Sequence, residues 1–250
     1  MRAMPPGRPE NPHAEPSRRA CQPGVAGMSD HEWIGTAFVP DGVELRLFRR
    51  DDEFTILLEQ TELMSTRVSG SEEALATMTC QRLGHRAGLQ MLIGGYGMGF
   101  TLRAALAVLE GDASVTVAEL VPEIIDWARG PMHALTAGCL DDPRVVLVGD
   151  DVGMLIDAAR EAYDAILLDV DNGPEGLTRL NNDGLYSRDG LYAAKAALRP
   201  GGILAVWSCE GDASFTERLR EAGFDVADVV VGEEADGAGA AHVIWFAQKR

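Results

Sequence analysis

An α/β fold built on a mostly parallel sheet with both faces covered is the expectation for this chain, and three observations carry it. The apolar run Leu89-Gln90-Met91-Leu92-Ile93 leads directly into Gly94-Gly95-Tyr96-Gly97-Met98-Gly99, and a helical pattern from Leu102 to Leu109 follows. Strand, tight glycine turn and helix start are the parts of a nucleotide-binding βα unit. Further near-continuous apolar runs, each closed by polar residues, describe strands buried on both faces. Glu119 ends the next such run, about 20 residues past the glycines, the separation expected of a ribose-binding acid.

The elements follow in order. Residues 1–28 are rich in Pro, Arg, Ala and Gly and poor in bulky apolar side chains, which predicts a disordered tail with Met28 as an alternative initiator. Residues 29–70 predict a small β-appendage and a loop. Glu44 to Arg49 and Phe54 to Leu58 alternate in strand fashion around the charged stretch Arg50-Asp51-Asp52-Glu53, a hairpin pattern, and Thr61 to Gly70 reads as the loop. Residues 71–250 predict the α/β domain. Ser71 is its first expected N-cap, opening a helix through Leu75, Met78 and Leu83.

After Val115-Thr116-Val117 come Pro143 to Val148 closed by Gly149-Asp150-Asp151, and Tyr163 to Leu168 closed by Asp169-Val170-Asp171-Asn172-Gly173-Pro174. Ile203 to Trp207 follows the turn Arg199-Pro200-Gly201-Gly202. Phe215 to Ala222 predicts a helix stopped by Gly223, and Val226 to Val231 and His242 to Ala247 predict two more strands. His242 reads as a surface residue, and Trp127, Tyr186 and Trp207 as core. Ligands of such sheets bind beyond the carboxyl ends of the strands. Tyr96, Glu119, Asp150, Asp151, Asp169 and Asp171 all fall at such ends.

Composition narrows the function classes. A net charge of −17 over 250 residues and a pI near 4.6 argue against non-specific nucleic-acid binding. No apolar run reaches the ~18–20 residues that span a membrane. The cysteines, Cys21, Cys80, Cys139 and Cys209, form no Cys-x-x-Cys pair, and the histidines form no His-Glu-x-x-His pattern. No metal site is therefore predicted, and a reducing, cytoplasmic setting is the default.

The glycine turn selects among nucleotides. A dinucleotide fingerprint wants a small residue where Phe100 stands, so Gly95-x-Gly97-x-Gly99 better suits a cofactor with no pyrophosphate. Gly95, Gly97, Gly99, Glu119 with the adjoining Leu120, Asp150 and Asp151 are the candidate cofactor residues. Asp169 is the candidate general base, or else a loop cap. Glu72, Tyr96, Asp171 and Asn172 are the candidate acceptor-binding residues, each with a plainer structural reading beside it.

Over about residues 33–250 the order of parts resembles the spermidine synthase family, within the class I S-adenosylmethionine-dependent methyltransferase folds. Thr61-Glu62 and Ser71-Glu72-Glu73-Ala74-Leu75 occupy the two ends of that family's Thr-Glu-Arg-Asp-Glu-Phe-x-Tyr-His-Glu-Met segment. Gly94 to Gly99 with Leu102-Arg103 matches its glycine turn, Glu119 its ribose acid, Gly149-Asp150 its adenine contact and Asp169 its catalytic base. The resemblance implies a Rossmann-like, seven-stranded methyltransferase sheet with a small N-terminal β-appendage, and dimerisation through that appendage.

The departures shape the functional expectation. The family carries an Asp in the glycine turn that holds the ammonium of decarboxylated S-adenosylmethionine; here the turn offers Tyr96 and Met98. The family's Tyr-His pair becomes Ser71-Glu72, and its Asp-Ser-Ser-Asp-Pro becomes Asp169-Val170-Asp171-Asn172-Gly173-Pro174. These changes point to intact S-adenosylmethionine as cofactor and to methyl transfer onto a small-molecule acceptor, with an aromatic or heterocyclic amine suggested by Tyr96, Met64 and Met98. Two alternatives stand beside it: aminopropyl transfer to a polyamine from the decarboxylated cofactor, and a non-catalytic cofactor-binding protein.

Overall fold

The computed structural model describes residues 30–40, 42–170, 183–232 and 241–250. Four strands, β1 (Glu32–Phe38), β2 (Glu44–Arg50), β3 (Glu53–Leu58) and β4 (Thr61–Ser65), form an antiparallel sheet in sequence order. Both tight turns begin with a residue in the left-handed region, Asp51 at φ 54° and Glu59 at φ 54°, as two-residue hairpins with the twist of the flanking strands require. Leu45, Leu47 and Ile56 turn inward and share one core with Ile93, Leu102 and Trp127 of the larger domain. At Gly35 a Cβ would stand 3.0 Å from the Trp127 indole nitrogen, so the missing side chain lets β1 lie against that ring.

The larger sheet runs in the order β10-β11-β9-β8-β5-β6-β7. Its strands are β5 (Gln90–Gly94), β6 (Ser114–Ala118), β7 (Val145–Val148), β8 (Tyr163–Leu168), β9 (Leu198–Ser208), β10 (Phe224–Gly232) and β11 (Ala241–Lys249). Neighbours from β7 through β9 pair in parallel, and β11 alone is reversed. Helices α1 (Gly70–Leu83), α2 (Phe100–Val108) and α3 (Pro122–Arg129), with the short α4 (His133–Thr136), pack with the small sheet on one face. On the other face lie α5 (Val152–Ala158), α6 (Asp183–Tyr186), α7 (Arg188–Ala197) and α8 (Ala213–Glu221). The chain winds outward in both directions from β5 and β8, so their carboxyl ends form the switch-point crevice where such sheets bind ligands.

At the opposite end of β8 the fold is stapled electrostatically. The buried Asp164 carboxylate accepts from Arg86 at 3.0 Å, Arg199 at 2.8 Å and the Gln90 backbone amide at 2.9 Å. Arg86 also donates to the Gly201 carbonyl at 2.8 Å. Arg199 to Gly202, expected as a turn, is thereby drawn into an 11-residue β9, with the register shift absorbed between Tyr163 and Ala165.

Several expectations meet a different local chemistry. Thr61 to Ser65 forms β4 rather than loop; a bulge between Ile56 and Leu57 breaks the alternation that would have marked it. The N-cap of α1 is Ser69, and Ser71 inside the first turn donates instead to Glu72 Oε2 at 2.7 Å. His242 is buried, not superficial, and stacks on Trp207 with ring centroids 4.9 Å apart; burial holds its pKa below the usual histidine value. The expected stop of α8 holds: Gly223 takes φ 84° and its amide donates to the Arg220 carbonyl. Among the described residues no helix is long and apolar enough to cross a membrane, and no group of three metal-ligating side chains forms.

Candidate active site

Backbone pairing extends past the strand ends and fixes the rim. Gly95 N–H donates to the Ala118 carbonyl, Asp169 N–H to Gly94 and Glu119 N–H to Val148. Gly95 (φ 84°), Gly97 (φ 54°) and Gly99 (φ 80°) all adopt left-handed backbone. At Gly95 this is also a matter of space, because a Cβ there would lie 2.2 Å from the Asp169 carbonyl oxygen.

Glu119 is 7% exposed. Its Oε2 accepts the Tyr96 amide at 2.9 Å and its Oε1 the Val121 amide at 2.8 Å, with the Gly97 and Leu120 amides also turned toward it. Burial still pushes its pKa above the usual carboxylate value, the four amides opposing that shift. The carboxylate thus ties the glycine turn to the end of β6. Each of its oxygens keeps lone-pair capacity for a hydroxyl. Leu120 contributes through its amide.

Asp150 is exposed beyond β7, and its Oδ1 accepts the Asp151 amide at 2.8 Å. Asp151 caps α5, accepting from Gly153 at 2.8 Å. Asp171 and Asn172 lie outside the described residues.

Tyr96 is buried and folds back under the turn. A Cβ on Gly99 would meet its Oη at 2.6 Å, and that hydroxyl lies 3.6 Å from Cys139 Sγ. Burial raises its pKa above the ordinary tyrosine value. The residue lines the cavity beside the turn, and its hydroxyl is directed to Cys139. The thiols of Cys139 and Cys80 are likewise pushed up by burial, which keeps both in the unreactive protonated form.

What the fold adds is a small, partly open cavity of about 30 Å³ between the glycine turn, α1 and β8, lined by Met64, Glu72, Tyr96, Gly97, Met98, Phe100 and Asp169. A larger, open hollow of about 500 Å³ on the small sheet, against Phe38, Glu44, Arg46 and Glu59, holds none of the candidate residues. In the smaller cavity Asp169 Oδ2 accepts the Thr101 hydroxyl at 2.6 Å. The same hydroxyl reaches the Glu72 carbonyl at 3.3 Å, joining the first turns of α1 and α2. Burial, with the Glu72 charge adding to it, pushes the Asp169 carboxyl up to about 7. Glu72 is also raised, chiefly by burial, against the Ser71 hydroxyl that favours its charged form. Among the described residues no Lys, Arg or His lines this cavity. Two desolvated carboxyls without a basic side chain between them form a place for a cation.

Reading the sequence missed Thr101. A threonine in the first turn of a helix after a glycine turn carries no signal of its own; only the partnership with Asp169, 68 positions away, gives it meaning. Met64 enters from β4, the strand read as loop, and its Sδ would lie 3.4 Å from a Cβ on Gly97.

Comparison with known proteins corrects the expected reaction. The polyamine aminopropyltransferase 2 of Pseudomonas aeruginosa is 32% identical over 132 residues, covering 51% of this chain and 36% of that protein. The polyamine aminopropyltransferase 1 of Streptomyces coelicolor is 35% identical over 120 residues, covering 47% of this chain and 22% of that protein. The matched stretch thus spans about a third or less of these relatives' own length. The spermidine synthase of Thermotoga maritima superposes with a TM-score of 0.69 at 18% identity, covering 87% of this chain and 73% of that one, which establishes the shared fold. Methyl transfer was inferred from the absence of an acid within the glycine turn, together with the altered Ser71-Glu72 and Asp169 to Pro174 segments. These relatives overturn it, and the geometry shows the weakness of the inference, since Glu72 and Asp169 face that turn from other elements. The family described as the spermine/spermidine synthase domain matches residues 78–217, more than half of the chain, and the protein belongs to that family.

Proposed function

We propose that the protein transfers an aminopropyl group from decarboxylated S-adenosylmethionine to a small amine. The observation that carries this reading is the paired carboxyls of Glu72 and Asp169 in a cavity otherwise lined by Met64, Tyr96, Gly97, Met98 and Phe100. Donor and acceptor are both cationic amines, and a cation placed between these acids relieves the desolvation that raises their pKa values. The net charge of −17 favours the approach of such acceptors.

The residues fit a sulfonium nucleoside in two parts. The cavity has room for a water-sized group, such as the end of an aminopropyl chain, but not for a nucleoside. The nucleoside therefore belongs on the open rim, its sugar hydroxyls at Glu119 and its base near Asp150. When bound, the donor supplies a carbon already activated for displacement by its sulfonium. The protein aligns an acceptor nitrogen with that carbon. As the new C–N bond forms and the C–S bond breaks, sulfur leaves as a neutral thioether and the nitrogen sheds a proton. Asp169, with a carboxyl titrating near neutrality at the end of β8, accepts it.

The test is product analysis by mass spectrometry after incubation with decarboxylated S-adenosylmethionine and a panel of diamines and polyamines. An aminopropylated amine is expected, with Asp169→Asn lowering kcat by about 10²–10⁴-fold. Absence of that product from folded protein, or a methylated amine formed from intact S-adenosylmethionine, refutes the proposal.

A further inference from the structure

We infer that Glu72 holds the terminal ammonium of the donor's aminopropyl chain and so sets the preference for a decarboxylated donor. The inference rests on the aminopropyl-transfer reading and assigns a role within that site. A donor that has lost its carboxylate ends in a bare primary ammonium, three carbons from sulfur. Enclosing that group in an apolar-walled cavity requires an anion beside it. No side chain of the glycine turn supplies one: Tyr96 and Met98 are uncharged, as is Phe100 at the start of α2. Among the described residues, only Glu72 and Asp169 bring carboxyls to the cavity.

The two acids are not equivalent. Asp169 is in demand as the proton acceptor, and a carboxylate held in a permanent ion pair with the donor would lose the basicity that role needs. Glu72 stands on α1, in the same turn as Glu73, but Glu73 is engaged by Arg103 at 2.9 Å and by the Ser69 hydroxyl at 3.1 Å. Of that turn's acids only Glu72 lines the cavity. Its Oε2 is fixed by the Ser71 hydroxyl, and its backbone is tied to α2 through Thr101. The carboxyl is therefore presented to the glycine turn by a rigid element. Position also gives discrimination: the extra carboxylate of intact S-adenosylmethionine sits on the carbon that bears the amine, and would meet two like charges.

Calorimetric titration of three ligands into the full chain tests this, using decarboxylated S-adenosylmethionine, intact S-adenosylmethionine and methylthioadenosine, which lacks the ammonium. Glu72→Gln is expected to weaken the decarboxylated donor about 10- to 100-fold, the loss of one charge-assisted contact. It should leave methylthioadenosine within about threefold and narrow the gap between decarboxylated and intact donors. Glu72→Asp keeps the charge on a shorter arm and should fall between, which keeps the test usable if the glutamine variant folds poorly. Unchanged affinity of Glu72→Gln for the decarboxylated donor, or equal weakening of methylthioadenosine, overturns the inference while leaving aminopropyl transfer intact. Failure of the unmodified protein to yield an aminopropylated product overturns the reading beneath it instead.

Discussion

Replacing Asp169 by asparagine should make this protein more stable at alkaline pH. The carboxyl rises from 3.8 to about 7 on folding, through burial first and the Glu72 charge second. Between those values the folded chain holds a proton that the unfolded chain releases, so stability falls as pH rises through the window and the loss is complete above about 7. A shift of that size corresponds to at most about 4 kcal/mol, of which no more than about 3 kcal/mol develops between pH 5 and pH 8. Partial exposure of Asp169 and its coupling to Glu72 reduce the expected figure to about 1–2 kcal/mol. Asparagine keeps an oxygen for the Thr101 hydroxyl, so the variant removes the charge and little else. Urea denaturation of both proteins at pH 5 and pH 8 reads the difference directly. A variant less stable than the parent at pH 8, or a gap identical at the two pH values, would refute the claim that this acid is strained by its site.

Three further perturbations separate the site from its scaffold. Asp164→Ala leaves Arg86 and Arg199 facing an empty buried position and should cost about 3–5 kcal/mol in urea denaturation, with no direct effect on ligand contacts. Gly95→Ala should cost more stability than Gly97→Ala in parallel thermal melts, although both glycines have positive φ. At 95 the new Cβ meets the Asp169 carbonyl at 2.2 Å, while at 97 it meets the flexible Met64 thioether at 3.4 Å, for about 1 kcal/mol of backbone strain. Thr101→Val removes a hydrogen bond donated to the Asp169 carboxylate, so the acid limb of the kcat profile should move about 0.5–1 unit toward alkaline pH.

The sheet was legible because its central strands are buried on both faces and so spell continuous apolar runs, while the exposed edge strands β7 and β10 still carry runs of β-branched valines. Tyr163 to Leu168 was read to the residue, and β5, β6, β10 and β11 within two residues or so at each end. The β2–β3 hairpin was equally plain. Where two physical signals conflicted the reading failed. A bulge hid β4, and an ion-pair staple anchored at Asp164 turned a Pro-Gly-Gly turn signal into strand. His242 looked superficial because nothing local announces a ring stacked on Trp207. Capping went the same way: Ser71 is the N-cap the sequence suggests, but the helix begins two residues earlier and Ser69 takes that position.

The functional error has one physical root. The glycine turn was judged by its own side chains, as though the charge near a ligand must come from the segment that wraps it. In the folded protein the cavity is assembled from β4, α1, the turn, the start of α2 and the end of β8, five segments spread from Met64 to Asp169. Electrostatic environment is a property of that assembly, because a carboxylate acts on whatever lies within a few ångströms, whichever segment bears it. An acid missing from positions 96 and 98 is therefore no statement about charge at the turn. The raised pKa values of Glu72 and Asp169 report the same point in energetic form: the fold spends stability to hold two acids where water is scarce, and a site under that strain favours a cationic occupant over a neutral or anionic one.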